Sequence, residues 1–363
     1  MGHCRKTALS IFLNTKCNLR CKYCYVGGSN SNCIQKVINK NFIRCAVLDF
    51  FKQYSSRHIR FFSTGEVTTS FSALKEITDW IRTKSKGVKF ELQTNGYFSK
   101  KIAEWIAENM DVIWISCDGS PDVQNYYRPT VNGSTSSEIV ERNIKFLAAT
   151  PLVLGCRSTI GARNVYRQKE LIDYFSSLGV EAIMSDPIFE PVSQLCNATH
   201  NKESVNLMDY AKFFLQARLY AEKKGIFYGS IYTVNFDEKT EHFCRACIPY
   251  PHLTTDGYVS CCDMAYSGTD LKMKDLIYGR YNEEEDRIEY DYNAIKKIKS
   301  RTASNMPECQ NCEVLYNCAG ACLGEALNET GSIFGIKPEV CEVIRYLAKH
   351  MPLNRKLHPY LHP

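Results

Sequence analysis

A chain of 363 residues, 44% hydrophobic and 23% charged, has an ordinary globular composition and length for one large domain or two smaller ones. Lys and Arg number 45 against 39 Asp and Glu, and the net charge of +6 is spread along the chain, not gathered into the basic stripe of a nucleic-acid binder. No stretch approaches the run of about 20 apolar residues that a membrane helix needs, and the short apolar segment 8–13 has no small-residue cleavage site after it. A cytoplasmic protein with neither a nucleic-acid nor a membrane partner is expected.

In chain order, short runs rich in Ile, Val and Phe predict strands at 8–13, 59–63, 89–93, 112–116, 153–158 and 182–185. Amphipathic segments at 36–54, 71–83, 100–109, 137–148, 168–178 and 203–223 predict the helices between and after them. Strand followed by helix, six times, implies right-handed βαβ units and a parallel α/β sheet. Six units are fewer than the eight of a closed barrel, so a partial, open (β/α)6 TIM barrel is expected, with a flat doubly wound sheet as the alternative. Either way the chemistry belongs on loops at the C-terminal ends of the strands. After about residue 240 the alternation stops and cysteines crowd in, which places a domain boundary near 225–243. The expected division is 1–235, 236–350 and a tail, 351–363.

The chain has 18 cysteines. Without a signal peptide, closely spaced thiols point to metal rather than to disulfides. Cys17-Asn-Leu-Arg-Cys21-Lys-Tyr-Cys24 follows the first strand directly. Three thiolates on one loop suffice for three irons of a cubane and leave the fourth open, and an open position is what a catalytic metal site requires. A zinc knuckle completed by His3, Cys4 or Cys33 is the plainer alternative.

This loop, with the aromatic Tyr23 before its third cysteine, resembles the defining motif of the radical S-adenosylmethionine (SAM) superfamily. The resemblance implies a [4Fe–4S] cluster on Cys17, Cys21 and Cys24, with SAM on the open iron. It also implies a 5′-deoxyadenosyl radical that abstracts hydrogen from an unactivated C–H bond. Ser63-Thr64-Gly65-Glu66, after the second strand, resembles the family's Gly-Gly-Glu motif, which binds the SAM amino group through backbone carbonyls and often the carboxylate. Thr64 replaces the first glycine and must reach the required backbone shape without glycine's freedom. Ser116-Cys-Asp-Gly-Ser-Pro121, with Arg128 beyond it, resembles a segment of the peptide-modifying members. Ser116 and Arg157 are candidates for the SAM carboxylate, with an internal salt bridge as the alternative for Arg157. Gln93-Thr94-Asn95-Gly96 either faces the adenosine or is a plain turn.

The second cysteine group runs Cys247-x9-Gly257-x4-Cys262, then Cys309-x2-Cys312-x5-Cys318-x3-Cys322, then Cys341. It resembles the seven-cysteine pattern of the SPASM domain, which implies two auxiliary iron–sulfur clusters of the [4Fe–4S] type. By position, Cys309, Cys312, Cys318 and Cys341 hold one. Cys247, Cys262 and Cys322 hold the other, with Cys244 as its fourth ligand or an iron left open. Cys261 is expected to point away if the segment is extended. Cys4, Cys33, Cys45, Cys117, Cys156 and Cys196 read as ordinary thiols. Asp263, at the position where anaerobic sulfatase-maturating enzymes have an aspartate, is the candidate acceptor for the proton lost when a substrate radical is oxidised.

SPASM proteins act mostly on peptides, so a peptide or protein substrate is implied, together with an external electron donor such as flavodoxin or ferredoxin. With the loop starting at residue 17, neither an N-terminal leader-binding module nor a cobalamin domain is expected. The leading reading is oxidative crosslinking of a ribosomally made peptide through a thioether, ether or C–C bond. Maturation of a sulfatase Cys or Ser to formylglycine is the second. A non-catalytic metal-binding or electron-transfer protein is the third.

Overall fold

The computed structural model describes residues 7–26, 35–189 and 203–355. His3, Cys4, Cys33 and Cys196 lie outside them. Strand β1 (Ala8–Phe12) is buried along its whole length, as a parallel strand covered on both faces must be. Helix α1 (Lys40–Gln53) begins four residues later than its periodicity suggested, because the Asn39 side chain caps it by accepting from the Asn41 amide. There follow β2 (His58–Phe62), α2 (Phe71–Arg82), β3 (Lys89–Thr94), α3 (Lys100–Asn109) and β4 (Val112–Ser116). A short helix that the sequence did not announce, α4 (Pro121–Tyr127), precedes α5 (Ser137–Ala148). Then come β5 (Val153–Ile160), α6 (Gln168–Ser177), β6 (Ala182–Pro187) and α7 (Leu207–Lys223).

Strands β1 to β6 pair in parallel and in sequential order. A doubly wound sheet would reverse that order at a switch point. The order never reverses, so every right-handed crossover steps the same way and the sheet curls as a partial barrel. The sheet does not stop at six strands, however. A short β7 (Phe227–Gly229) adds in parallel to β6. On the other side, β8 (His252–Leu253) pairs in parallel with β1 and leads into antiparallel β9 (Tyr258–Ser260), β10 (Ile277–Asn282) and β11 (Arg287–Tyr290). Hairpin strands need no helix between them, which is why the α/β rhythm fades there although the sheet continues. The chain ends in α8 (Tyr292–Lys299), α9 (Leu315–Cys318), α10 (Leu323–Thr330) and α11 (Pro338–His350). Helix α11 returns to pack on α7. The cysteine-rich part therefore holds the barrel at both edges, through β8 against β1 and α11 against α7, and one hydrophobic cluster runs from Leu9 to Met351. Among the described residues no helix is long and apolar enough to cross a membrane.

Register decides what faces the barrel interior. His252, Ser10, Arg60 and Glu91 stand side by side on β8, β1, β2 and β3. Nearer the C-terminal rim, Ser116, Arg157, Met184 and Gly229 form a second row across β4 to β7. Gly155 lets the Trp114 indole lie across β5, since a Cβ there would come within 2.3 Å of the ring.

Leu347, wholly buried on α11, tests the second attachment. Leu347→Ala is expected to cost about 2–5 kcal/mol in chemical denaturation. A loss below about 1 kcal/mol would show that α11 does not clamp the barrel.

Candidate active site

The three-cysteine loop is gripped from two sides. On one side, the Glu66 amide donates to the Lys16 carbonyl (2.7 Å), and the Asn14 side chain donates to the Glu66 carbonyl (3.1 Å) and Ser70 Oγ (2.7 Å). The approach is so close that a Cβ on Gly65 would fall 2.1 Å from the Lys16 oxygen. On the other side, Arg20 and Lys22 amides donate to the Pro129 and Tyr127 carbonyls (2.7 and 2.9 Å). The Tyr23 hydroxyl donates to the Asp118 carboxylate, which also receives Arg128 through Nε (2.9 Å) and Nη2 (3.2 Å) and the Thr159 amide (2.9 Å). Asp118 is fully buried, so this charge-assisted set fixes the loop without solvent competition.

Glu66 is equally committed. Its carboxylate accepts from the Thr68 amide (3.0 Å) and hydroxyl (2.8 Å), the Thr94 hydroxyl (2.6 Å) and the Asn95 amide (2.7 Å). Burial pushes its pKa up, and those donors oppose the rise. Asn95 in turn donates to Asn18 Oδ1 (2.8 Å) and lies 3.9 Å from Cys17 Sγ. The expected glycine freedom at Thr64 is not needed. Among the described non-glycine residues only Asp286, Ala319, Ala321 and Asn354 have positive φ. The motif requires its glycine at Gly65, for space.

A cavity of about 420 Å³ opens at the C-terminal rim. Cys17, Cys21 and Cys24 line one wall, and Cys244, Cys262 and Cys322 line another. Ser63, Thr64, Gly65, Glu66, Ser116, Arg157 and Asp263 all border it. Arg157 faces Asp186 at 3.5 Å and is one-third exposed, so the internal ion pair exists but is loose. Asp263 is held by both nitrogens of Arg60 (2.8 and 2.9 Å) and by His252 Nε2 (3.2 Å). Burial pushes its carboxyl up, but the Arg60 guanidinium and His252 outweigh that and hold it well below the usual carboxylate range. Arg60 also donates to Gln93 Oε1 (2.6 Å) and faces Glu91.

A second cavity, about 150 Å³, is lined by Cys309, Cys312, Cys318, Cys322 and Cys341. Cys247 is buried beside Cys244, and the two thiols share a hydrogen bond. The Cys244 thiol lowers the pKa of Cys247, against burial and with help from Arg301. β9 ends at Ser260 and the chain bends, so strand alternation no longer applies and Cys261 lines the first cavity with Cys262. None of the described cysteines forms a disulfide. Cys45 is half-buried; Cys117 and Cys156 are buried, with thiols that burial pushes up.

Among the described residues no three His, Cys, Asp or Glu side chains converge tightly enough to hold a single metal ion. A cubane needs no such convergence, because each thiolate ligates a different iron. The sulfur surroundings fit thiolate ligands. Backbone amides point at Cys17 (Asn18, Leu19), Cys262 (Met264), Cys318 (Gly320, Ala321) and Cys322 (Gly324, Glu325). Cys322 also caps α10, at the positive end of the helix dipole. Burial nevertheless pushes Cys17 and Cys322 up to about 11 and Cys318 to about 12. Metal binding at these sites must therefore release protons.

Sequence reading missed Arg60, His252, Tyr25 and Trp114, all of which line the cavity. Arg60 carried a signal: a charged residue two positions from His58 within an apolar parallel strand puts both on one face. Tyr25 carried one as well, since it directly follows Cys24; His252 carried none, because only the pairing of β8 with β1 brings it to the barrel.

Two substitutions test this construction. Gly65→Ala is expected to displace the cysteine loop and lower its iron content, measured per chain after anaerobic reconstitution, while circular dichroism stays native; Thr64→Gly should be neutral. Asp118→Ala strands the Arg128 charge and should cost about 3–5 kcal/mol in urea unfolding; a cost near zero would show that the pair does not hold the loop.

The description of the radical SAM superfamily matches residues 11–152. A protein of Methanocaldococcus jannaschii is 25% identical over 49% of this chain and 61% of its own length. The radical SAM cyclopropyl synthase TigE of Paramaledivibacter caminithermalis is 22% identical over 95% of this chain and 73% of that one. A cysteine-type anaerobic sulfatase-maturating enzyme of Clostridium novyi is 21% identical over 85% of each. Among solved structures, anSMEcpe with bound AdoMet superposes with a TM-score of 0.75 at 17% identity, over 94% of this chain and 96% of that one. Streptococcus suis SuiB bound to its precursor peptide SuiA gives 0.63 at 15% identity, over 93% and 76%. These solved structures share the fold over more than nine-tenths of this chain. With their three-cysteine loop at the rim of the barrel, residues 11–152 of the chain carry a radical SAM domain.

Proposed function

We propose that this protein is a radical SAM/SPASM enzyme that oxidatively modifies a ribosomally made peptide, joining two of its positions by a thioether, ether or C–C bond. The observation that carries the reading is the shared cavity. One space of about 420 Å³ touches Cys17, Cys21 and Cys24 on one wall and Cys244, Cys262 and Cys322 on another. A substrate segment seated there lies against the site of hydrogen abstraction and against a second thiol-rich site at once.

Cys17, Cys21 and Cys24 are assigned to the cluster that binds SAM, whose chemistry, when bound, is to supply a 5′-deoxyadenosyl radical able to take hydrogen from a C–H bond. The backbone of Ser63, Thr64 and Gly65 receives the SAM amino group. Glu66 holds that backbone in place, because its carboxylate is already filled by Thr68, Thr94 and Asn95. Ser116 and Arg157 receive the SAM carboxylate, the loose contact with Asp186 leaving the Arg157 fork free to turn. Cys244, Cys247, Cys262 and Cys322 are assigned to one auxiliary cluster, and Cys309, Cys312, Cys318 and Cys341 to the other. Asp263, ionised beside Cys262, would take the proton released as the substrate radical gives its electron to the neighbouring auxiliary cluster; because Arg60 and His252 hold its carboxyl low, it would pass that proton on rather than keep it. An external one-electron donor such as flavodoxin or ferredoxin supplies the reducing side.

The position of Asp263 on the cavity wall beside Cys262 favours a second reading, formylglycine formation on a sulfatase. The two products differ. A crosslinked peptide loses hydrogen without gaining a carbonyl, whereas a formylglycine peptide reacts with carbonyl reagents.

The deciding experiment is anaerobic. The iron-loaded protein, SAM and a strong reductant are expected to yield 5′-deoxyadenosine, and a Cys17, Cys21, Cys24→Ala variant none. A fully loaded wild type that stays silent, with and without candidate peptides, would sink the catalytic reading and leave a metal-binding or electron-transfer protein.

A further inference from the structure

Two arginines rank among the largest fully buried side chains, and they differ in one respect. Arg60 (2% exposed) faces Asp263 and Glu91. Arg301 (1% exposed) has no carboxylate within ion-pair range among the described residues. Its guanidinium donates instead to the Ile333 carbonyl, the Gly320 carbonyl (2.6 Å) and the sulfur of Cys247 (3.8 Å). Carbonyls solvate a buried cation but do not cancel its charge, and an uncompensated buried charge is strongly destabilising.

The position of those contacts supplies the missing charge. Cys247 lies in the set assigned to one auxiliary cluster. Gly320 lies in the three-residue link between Cys318, of the other set, and Cys322, of the first. That link is unusual: Ala319, Gly320 and Ala321 all have positive φ, at 50°, 79° and 57°. Successive left-handed residues carrying a Cβ are strained and persist only where the surroundings over-determine them. Here the Gly320 and Ala321 amides face the Cys318 sulfur, while the Gly320 carbonyl faces Arg301. One guanidinium therefore touches the ligand set of one site and the connecting loop of both.

Resting on the reading that these two cysteine sets hold clusters, we infer that Arg301 is the shared counter-charge of the two auxiliary clusters. A thiolate-held cluster is net negative and becomes more so when it takes up an electron. A fixed cation beside it favours the loaded protein over the apo chain and the reduced state over the oxidised. Arg301 acts as a tuning and positioning residue, since it reaches no part of the cavity where substrate would sit.

The test compares wild type, Arg301→Lys and Arg301→Gln, each loaded anaerobically with iron and sulfide. Iron per chain, redox titration followed by electron paramagnetic resonance, and thermal unfolding with and without clusters are measured. Wild type is expected to bind about twelve irons, enough for three four-iron clusters. In Arg301→Gln the auxiliary potentials should fall to more negative values, with Arg301→Lys between Gln and wild type. The Gln variant should also lose more thermal stability loaded than apo. Full iron with unchanged potentials in Arg301→Gln overturns the inference. A wild type that stops at about four irons, a single cluster, overturns the auxiliary-cluster reading beneath it, and the iron count separates the two failures. If the Gln variant does not fold, Arg301→Lys decides. Lysine keeps the charge but loses the fork, so retained auxiliary clusters are expected; their complete loss would make Arg301 a backbone clamp and nothing more.

Discussion

The buried carboxylate of Glu66 ties the C-terminal ends of β2 and β3 together, and the cysteine loop rests on that tie. Its four donors come from Thr68, Thr94 and Asn95. Asn95 reaches on to the cysteine loop, and the backbone of Gly65 and Glu66 presses against Asn14 and Lys16. A carboxylate in such a place is tolerable only when fully hydrogen-bonded. The same saturation makes it rigid. The loop is thereby placed over the barrel mouth by the strand ends themselves, and the Tyr23–Asp118–Arg128 set closes it from the other side.

The barrel interior is polar where an ordinary core would be apolar. His252, Ser10, Arg60 and Glu91 form a layer across four strands, and Asp263 closes it from the loop after β9. Such a layer is costly unless each charge finds a partner. Arg60 meets that condition by pairing with carboxylates from two directions, Glu91 within the barrel and Asp263 from the C-terminal region. The ion pair thus does structural work across the two halves of the chain. It seats the β9 loop, with Cys262, against the barrel rim. Arg301 meets a cysteine sulfur and backbone carbonyls in place of carboxylates, which solvate its charge without cancelling it.

Much of the site was legible in the sequence because metal ligands must lie close together on short loops, and short spacings survive in a linear string. Cys17, Cys21 and Cys24, the tetrapeptide Ser63–Glu66, Ser116, Arg157 and Asp263 all meet at one cavity. The exceptions have a common cause. Thr64 was read as strained because a glycine was expected there, yet the motif's need for glycine is spatial and falls on Gly65. Cys261 was set aside by strand alternation, but the strand ends one residue earlier. Arg157 has its internal partner, Asp186, on the neighbouring strand, a register no local pattern specifies.

The sequence by itself determined the α/β class, the run of six strand–helix units and the cysteine loops, because hydrophobic period and ligand spacing are local properties. Only the tertiary structure decided that the sheet continues past both ends of that run, that β8 joins β1 and α11 joins α7, and that two cysteine sites share one cavity. It also decided which charges are paired, Arg60 with Asp263 across 203 residues of chain and Arg301 with no carboxylate among the described residues. Those outcomes depend on which strand lies beside which and on what remains within reach once water is excluded, and neither is written in the spacing of neighbours along the chain.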